Sequence, residues 1–208
     1  MNLEGNNSRP AGADTAKVPG AASMKLSQPV VVIPEDALIV VQVRNLVLFP
    51  GMILPVTIGR EASVAAAQAA VKAERPIGLV LQRQPDIEAP KREDLHDVGT
   101  VAQIVRYITT PDGAHHVVAQ GEGRFRVLEL LEGYPFPVAR IERLPAQEEA
   151  GQAMEARLHQ LRERAVEALS LLPQTPPELV QSLQSFTSAG QLADMIAGFM
   201  DLKAPEKQ

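Results

Sequence analysis

The apolar positions change their period once along this chain, near residue 145, and that change divides it. From Ala37 to Leu144 they come in short β-branched runs broken by Gly and Pro. Leu38-Ile39-Val40-Val41-Gln42-Val43 reads as a buried strand. Leu46 to Phe49 runs into Pro50-Gly51, a turn, and Met52 to Ile58 predicts a second strand with Pro55 marking an edge or a bulge. Arg60 to Arg75 predicts a helix. It is rich in Ala, with Val64, Ala67 and Val71 forming a narrow apolar face, and Pro76 stops it.

Ile77 to Leu81 is another short strand, and a polar, Pro-bearing loop follows to Asp97. Val98 to Thr109 and Ala114 to Gln120 flank Thr110-Pro111-Asp112-Gly113, the clearest hairpin signal in the sequence. Gly121-Glu122-Gly123 predicts a further turn, before alternation resumes in Arg124 to Val127 and, past Gly133-Tyr134-Pro135, in Ala139 to Glu142. About six short strands closed by Gly and Pro turns predict a small barrel or folded sheet with one inserted helix.

After Leu144-Pro145 the period becomes helical. Met154, Leu158, Leu161, Ala165, Ala168 and Leu172 form a heptad-like seam within a helix predicted over Gln147 to Leu172. Such a seam packs within a bundle or joins two copies of the chain. Thr175-Pro176-Pro177-Glu178 and Ser188-Ala189-Gly190-Gln191 are capping boxes for helices from Leu179 and Leu192. The fold class is therefore α+β, a β domain over 37–146 followed by a helical subdomain over 147–203. Residues 1–36, rich in Asn, Gly, Ala, Ser and Pro, read as a mobile leader.

Composition changes this picture little. Of 208 residues, 45% are hydrophobic and only 3% aromatic, with no Trp, so the core rests mainly on aliphatic side chains. With no Cys there is neither a disulfide framework nor a thiolate nucleophile. No apolar run reaches the ~18 residues of a membrane span, and the N-terminus lacks the apolar segment of a secretory signal. A cytoplasmic setting follows as the expectation. The net charge is −5, and the β segment is balanced, so no basic footprint points to nucleic acid.

Candidate chemistry is sparse. No Gly-Lys dipeptide occurs, hence no Walker A loop. His115 and His116 are adjacent in a predicted strand and face opposite ways, so they do not chelate one metal. The six lysines lie in polar contexts or in the tails, which leaves no Ser–Lys catalytic pair in view. No catalytic residue, metal site or cofactor is expected. One stretch stands out: Arg44-Asn45-Leu46-Val47-Leu48-Phe49-Pro50-Gly51-Met52-Ile53-Leu54-Pro55. It reads either as two strands and a turn with Leu48 and Phe49 in the core, or as an apolar loop presented to a partner.

That stretch resembles the opening motif of the N-terminal domain of the Lon family of ATP-dependent serine proteases. Ile58-Gly59-Arg60-Glu61-Ala62-Ser63, Val98-Gly99-Thr100-Val101-Ala102-Gln103-Ile104, Gly121 to Val127, and Leu192 through Gln208 are similar to further segments of that family, in the same order. The resemblance implies a PUA-like β domain and a helical segment that recognise unfolded, damaged or tagged polypeptides in protein quality control and help to assemble a hexamer. Residues 204–208 would lead on to an ATPase module, using ATP and Mg, and a Ser–Lys protease module, neither of which this chain contains. A piece of the N-terminal region or a truncated reading frame is thus implied, with a self-standing binding protein (for RNA or protein) or an oligomerisation scaffold as alternatives. The expected substrate contacts are Leu48, Phe49, Pro50 and Met52. The expected self-association contacts are Met154, Leu158 and Leu161.

Overall fold

A computed structural model describes residues 32–111, 113–146, 151–170, 183 and 185–208. Six strands form one mixed sheet: β1 (Ala37–Val43), β2 (Ile53–Ile58), β3 (Ile77–Leu81), β4 (Val98–Thr109), β5 (His115–Leu131) and β6 (Val138–Leu144). Helix α1 (Glu61–Lys72) lies between β2 and β3, and α2 (Gln152–Ser170), α3 (Ala189–Phe199) and α4 (Ala204–Lys207) follow the strands. The α+β order, strands first and helices after, matches the sequence reading.

The sheet order is β2-β5-β4-β3-β1-β6, and β6 pairs with β5 as well as with β1. The sheet therefore curls until its last strand meets the second half of β5. Only β1 and β3 run parallel, and α1 belongs to the connection between them. β2 pairs with β5 alone and forms the open edge, with Pro55 opposite Val118. Proline has no N–H to give to a ladder, which is why it is tolerated on an edge strand.

Inside the curl, β1 and β3 are buried nearly throughout, as expected for strands covered on both faces. Leu38, Val40, Val80, Leu95, Val101, Val127 and Ala139 surround Phe125, a fully buried aromatic in an otherwise aliphatic cluster.

Two expectations fail here for identifiable reasons. Gly121-Glu122-Gly123 is not a turn: β5 passes straight through it. Val101 pairs with Gly123 and Ala102 with Gly121, so Glu122 is an extra residue, a β-bulge. A side chain at Gly121 would collide with the backbone carbonyl of Phe49, so the glycine serves close approach rather than reversal. The buried face of α1 is Ser63, Ala66, Ala67 and Ala70, while Val64 is half-buried and Val71 exposed. The helix packs on β1 through its smallest residues, so the larger valines lie off the contact.

Candidate functional site

The turn at Phe49-Pro50-Gly51-Met52 is built as its residues require. Met52 N–H donates to the Phe49 carbonyl at 3.2 Å, and Gly51 sits at φ +79° after Pro50, the arrangement of a type II turn. The turn is tied to the β5 bulge: Gly51 N–H donates to the Gly121 carbonyl, and Gly121 N–H donates to the Met52 carbonyl, both at 2.9 Å. Thr100 Oγ1 donates to the Leu48 carbonyl at 2.6 Å. Leu48 and Phe49 are thereby drawn under the sheet, with 2% and 6% of their surfaces exposed.

Of the four residues expected to contact substrate, Leu48 and Phe49 are core side chains in this fold and do not form an open surface. The turn reverses the chain just after them, and β5 and α3 close over what remains. Pro50 and Met52 are half-buried.

Helix α3 supplies the cover. Ser188 caps it, its Oγ accepting from Gln191 N–H at 3.4 Å as the capping signal predicts. Arg124 on β5 donates twice to Asp194 on α3, Nη1 to Oδ2 at 3.1 Å and Nη2 to Oδ1 at 2.5 Å, a bidentate pair. Gly198 lies so close to Met52 that a Cβ there would overlap the Met52 thioether, and it would also touch the Phe49 ring. Lys207 Nζ donates to the Gly198 carbonyl at 2.9 Å, and Gln208 Nε2 to the Val98 carbonyl at 3.0 Å. Within the stretch expected as a tail, Ala204–Lys207 form the short helix α4, and Gln208 reaches back to the start of β4.

Around this seal the surface turns apolar. Phe199, Met200 and Leu202 follow Gly198 and are exposed, and so is Ile53, next to Met52. Sequence reading missed Phe199, Met200 and Leu202 because they continue a helical motif. The signal lay in Phe199-Met200-Asp201-Leu202, apolar beyond the α3 repeat and ahead of a new helix start.

The seam of α2 is only partly as expected. Met154, Leu158, Leu161 and Ala165 are half-buried, but Ala168 is exposed and Leu169 takes its place on the packed side. An α-helix turns by slightly less per residue than a strict heptad requires, so the packed side drifts along its length. α2 packs against α3. Leu172 and the capping box at Thr175 to Glu178 lie outside the described residues.

A second place carries charge. A cleft of about 670 Å³ opens beside the free edge of β2, lined also by Gln42, Val43, Arg44 to Leu46, Arg60, Ser63 and Glu88. Arg60 stands just before α1. Its Nη2 donates to Gln82 Oε1 and, at 3.2 Å, to the Ile87 carbonyl. Burial, with Arg44 nearby, pushes its guanidinium below its ordinary pKa, and Glu88 acts in the opposite sense. In the sequence Arg60 belongs to the Ile58 to Ser63 segment and to the start of the predicted helix, and neither gives it a role.

The histidines go separate ways. His115 Nδ1 is 2.9 Å from Tyr107 Oη and His116 Nδ1 is 3.1 Å from Thr57 Oγ1. Among the described residues no three His, Cys, Asp or Glu side chains are grouped so as to hold a metal ion, and no helix is long and apolar enough to cross a membrane.

Residues 37–208 match the family described as the ATP-dependent protease La (LON) substrate-binding domain. Among curated relatives, the Lon protease of Phenylobacterium zucineum is 48% identical over 177 residues, covering 85% of this chain and 22% of that protein. The Lon protease of Paraburkholderia phytofirmans is 44% identical over 206 residues, covering 99% of this chain and 24% of that protein. The chain thus spans about a quarter of the length of these relatives. Among solved structures, the N-terminal domain of the Mycobacterium avium complex Lon protease shares the fold at a TM-score of 0.64 and 20% identity, over 82% of this chain and 87% of that one. On sequence match and fold together, the chain belongs to the Lon substrate-binding domain family.

Proposed function

We propose that this chain is the polypeptide-recognition region of a Lon-type protease, engaging unfolded, damaged or tagged proteins in the cytoplasm. Degradation would fall to an ATPase module, using ATP and Mg, and to a Ser–Lys protease module. A misfolded protein exposes apolar segments that its native fold hides. A small apolar surface binds such segments weakly and with little sequence preference, which suits quality control.

The observation that carries this reading is the exposed group Phe199, Met200, Leu202 and Ile53 around the seal between α3 and Met52. In this proposal Met52 and Pro50 line the contact, while Leu48 and Phe49 hold the turn in shape beneath it. The half-buried Met154, Leu158 and Leu161 of α2 contribute to self-association within a larger assembly, where several copies add avidity to each weak contact.

The test is a fluorescence-anisotropy titration of a labelled, permanently unfolded protein with the chain, at physiological salt. Saturable binding competed by other unfolded chains but not by their folded forms is the expected result. The double substitution Phe199→Ser and Met200→Ser should weaken it about tenfold, the effect of roughly 1.4 kcal/mol, with no change in thermal midpoint. Equal binding by the double variant would overturn the assignment of this surface.

A further inference from the structure

The cleft beside β2 holds two guanidinium groups and a single carboxylate among the residues that line it. Glu88 spans the pair, with Oε1 at 2.6 Å from Arg44 Nη2 and Oε2 at 3.7 Å from Arg60 Nε. The three side chains differ greatly in exposure: 15% for Arg60, 42% for Arg44 and 77% for Glu88. Arg60 is therefore fixed, further held through Gln82 and the Ile87 carbonyl, whereas the carboxylate covering it comes from an exposed loop.

The charges do not balance. Two cations face one anion, and Arg60 keeps Nη1 buried with no hydrogen-bond partner among the described residues. A buried guanidinium N–H without an acceptor is costly, and a planar oxyanion is the acceptor whose geometry suits it. Glu88 shows that a carboxylate reaches this position. Being mostly in water, it loses little when it is displaced.

A polypeptide strand adding to the β2 edge is the other occupant a cleft here suggests. Pro55 argues against it, because a proline on the edge removes one of the donors that an incoming strand would need. The charged groups favour recognition of an anion instead.

We propose that Arg44 and Arg60 form an oxyanion-binding site, in which a carboxylate of an acidic residue on a bound polypeptide, or inorganic phosphate, replaces Glu88. The polypeptide form of this proposal rests on the recognition function proposed above. The phosphate form does not.

The experiment is an NMR titration of the full chain at fixed ionic strength, following the backbone amides of Gly59 to Ser63 and the Arg60 Nε–H. One arm uses inorganic phosphate. The other uses a blocked Gly-Ser peptide carrying two Asp residues, with its Asn counterpart as control. Saturable shifts confined to these signals are expected. Arg44→Gln, at a half-exposed position that leaves the fold intact, should weaken binding about fivefold, the effect of one partly exposed charge pair of about 1 kcal/mol. Glu88→Gln should tighten it about threefold or more by removing the competitor, a gain that a purely structural ion pair would not produce.

Saturation by phosphate alone would assign the site to free anions, and saturation by the Asp peptide but not the Asn peptide would assign it to polypeptide carboxylates. Affinity unchanged by Arg44→Gln, or no saturation by either probe even in Glu88→Gln, would overturn the proposal. Because Phe199 and Met200 lie outside this cleft, the serine double variant should titrate here unchanged. Loss of unfolded-protein binding in that variant alongside normal phosphate binding separates failure of one site from failure of the other.

Discussion

Two apolar stretches meet where α3 crosses the Phe49-Pro50-Gly51-Met52 turn, and their fates are opposite. Leu48 and Phe49 are buried, whereas Phe199 is 66% exposed and Met200 48%. Both stretches carry large apolar side chains. What separates them is a third element in each case. The β5 bulge at Gly121 lets the Phe49 backbone approach, and α3 then lies over the turn, using up its surface through Gly198. Past Gly198 nothing among the described residues covers Phe199 and Met200. Stickiness in this molecule is thus set by which of two neighbouring apolar stretches the fold covers, not by which is more hydrophobic.

The sharpest way to break that comparison is to truncate one residue from each side of it. Phe49→Ala should lower stability by about 3 kcal/mol or more, the usual cost of removing a buried aromatic ring. Phe199→Ala should change it by no more than about 0.5 kcal/mol, as for an exposed substitution. Urea unfolding of both variants checks this. A larger loss from Phe199→Ala than from Phe49→Ala would mean that the seal is arranged the other way round.

The same contrast explains what was legible in the sequence. The strands of the β domain could be read because β-branched runs between Gly and Pro turns state their own period, and β1, β3 and the antiparallel pair β4 and β5 lie where those signals put them. Pro55 left an edge or a bulge open for β2, and the sheet has it at the edge. The Gly121 to Gly123 turn failed because a glycine that permits close approach looks, in one sequence, like a glycine that reverses the chain. The α1 face failed because a helix packed closely on a sheet is selected for small size, which a search for large apolar residues overlooks. The candidate site was half legible. Its turn carried a motif, but its exposed rim at Phe199 to Leu202 and the Arg44–Glu88–Arg60 group are assembled from positions far apart in the chain.

A smaller effect sharpens the comparison between the curled sheet and the helices laid on it. Asp194, 13% exposed in its side chain, receives both nitrogens of a half-exposed Arg124. Asp194→Asn removes the charge and one of the two acceptors. The expected loss is about 1–2 kcal/mol, the scale of a hydrogen bond to a charged group discounted for the exposure of Arg124. It should appear locally, as faster amide hydrogen exchange in α3 and α4, while the amides of β1, β3 and β4 keep their protection. Uniform loss of protection across the sheet as well would show that the helices and the sheet unfold as one cooperative unit rather than as a base and its cover.

The smallest effect concerns pH and the pair His96 and Asp97, just before β4. Hydrogen bonding from Arg92 first, then the charges of Arg92, Arg83 and His96, hold the Asp97 carboxyl below the usual carboxylate range. Burial, with help from Arg83, pushes the neighbouring His96 imidazole below its ordinary value. Both groups have depressed values in the folded state, so in both cases the unfolded chain takes up the proton first. The His96 contribution is complete above about pH 6.5 and falls away as the pH drops below that. The Asp97 contribution is complete above about pH 4 and falls away below it. Thermal midpoints should therefore decline in two steps on acidification. His96→Gln should flatten the upper step and leave the lower one, and Asp97→Asn should do the reverse. Asp97 is largely exposed, so its step is the shallower and the more weakened by salt. A single steep step near neutrality, unchanged in His96→Gln, would instead show that His96 does not carry the upper step.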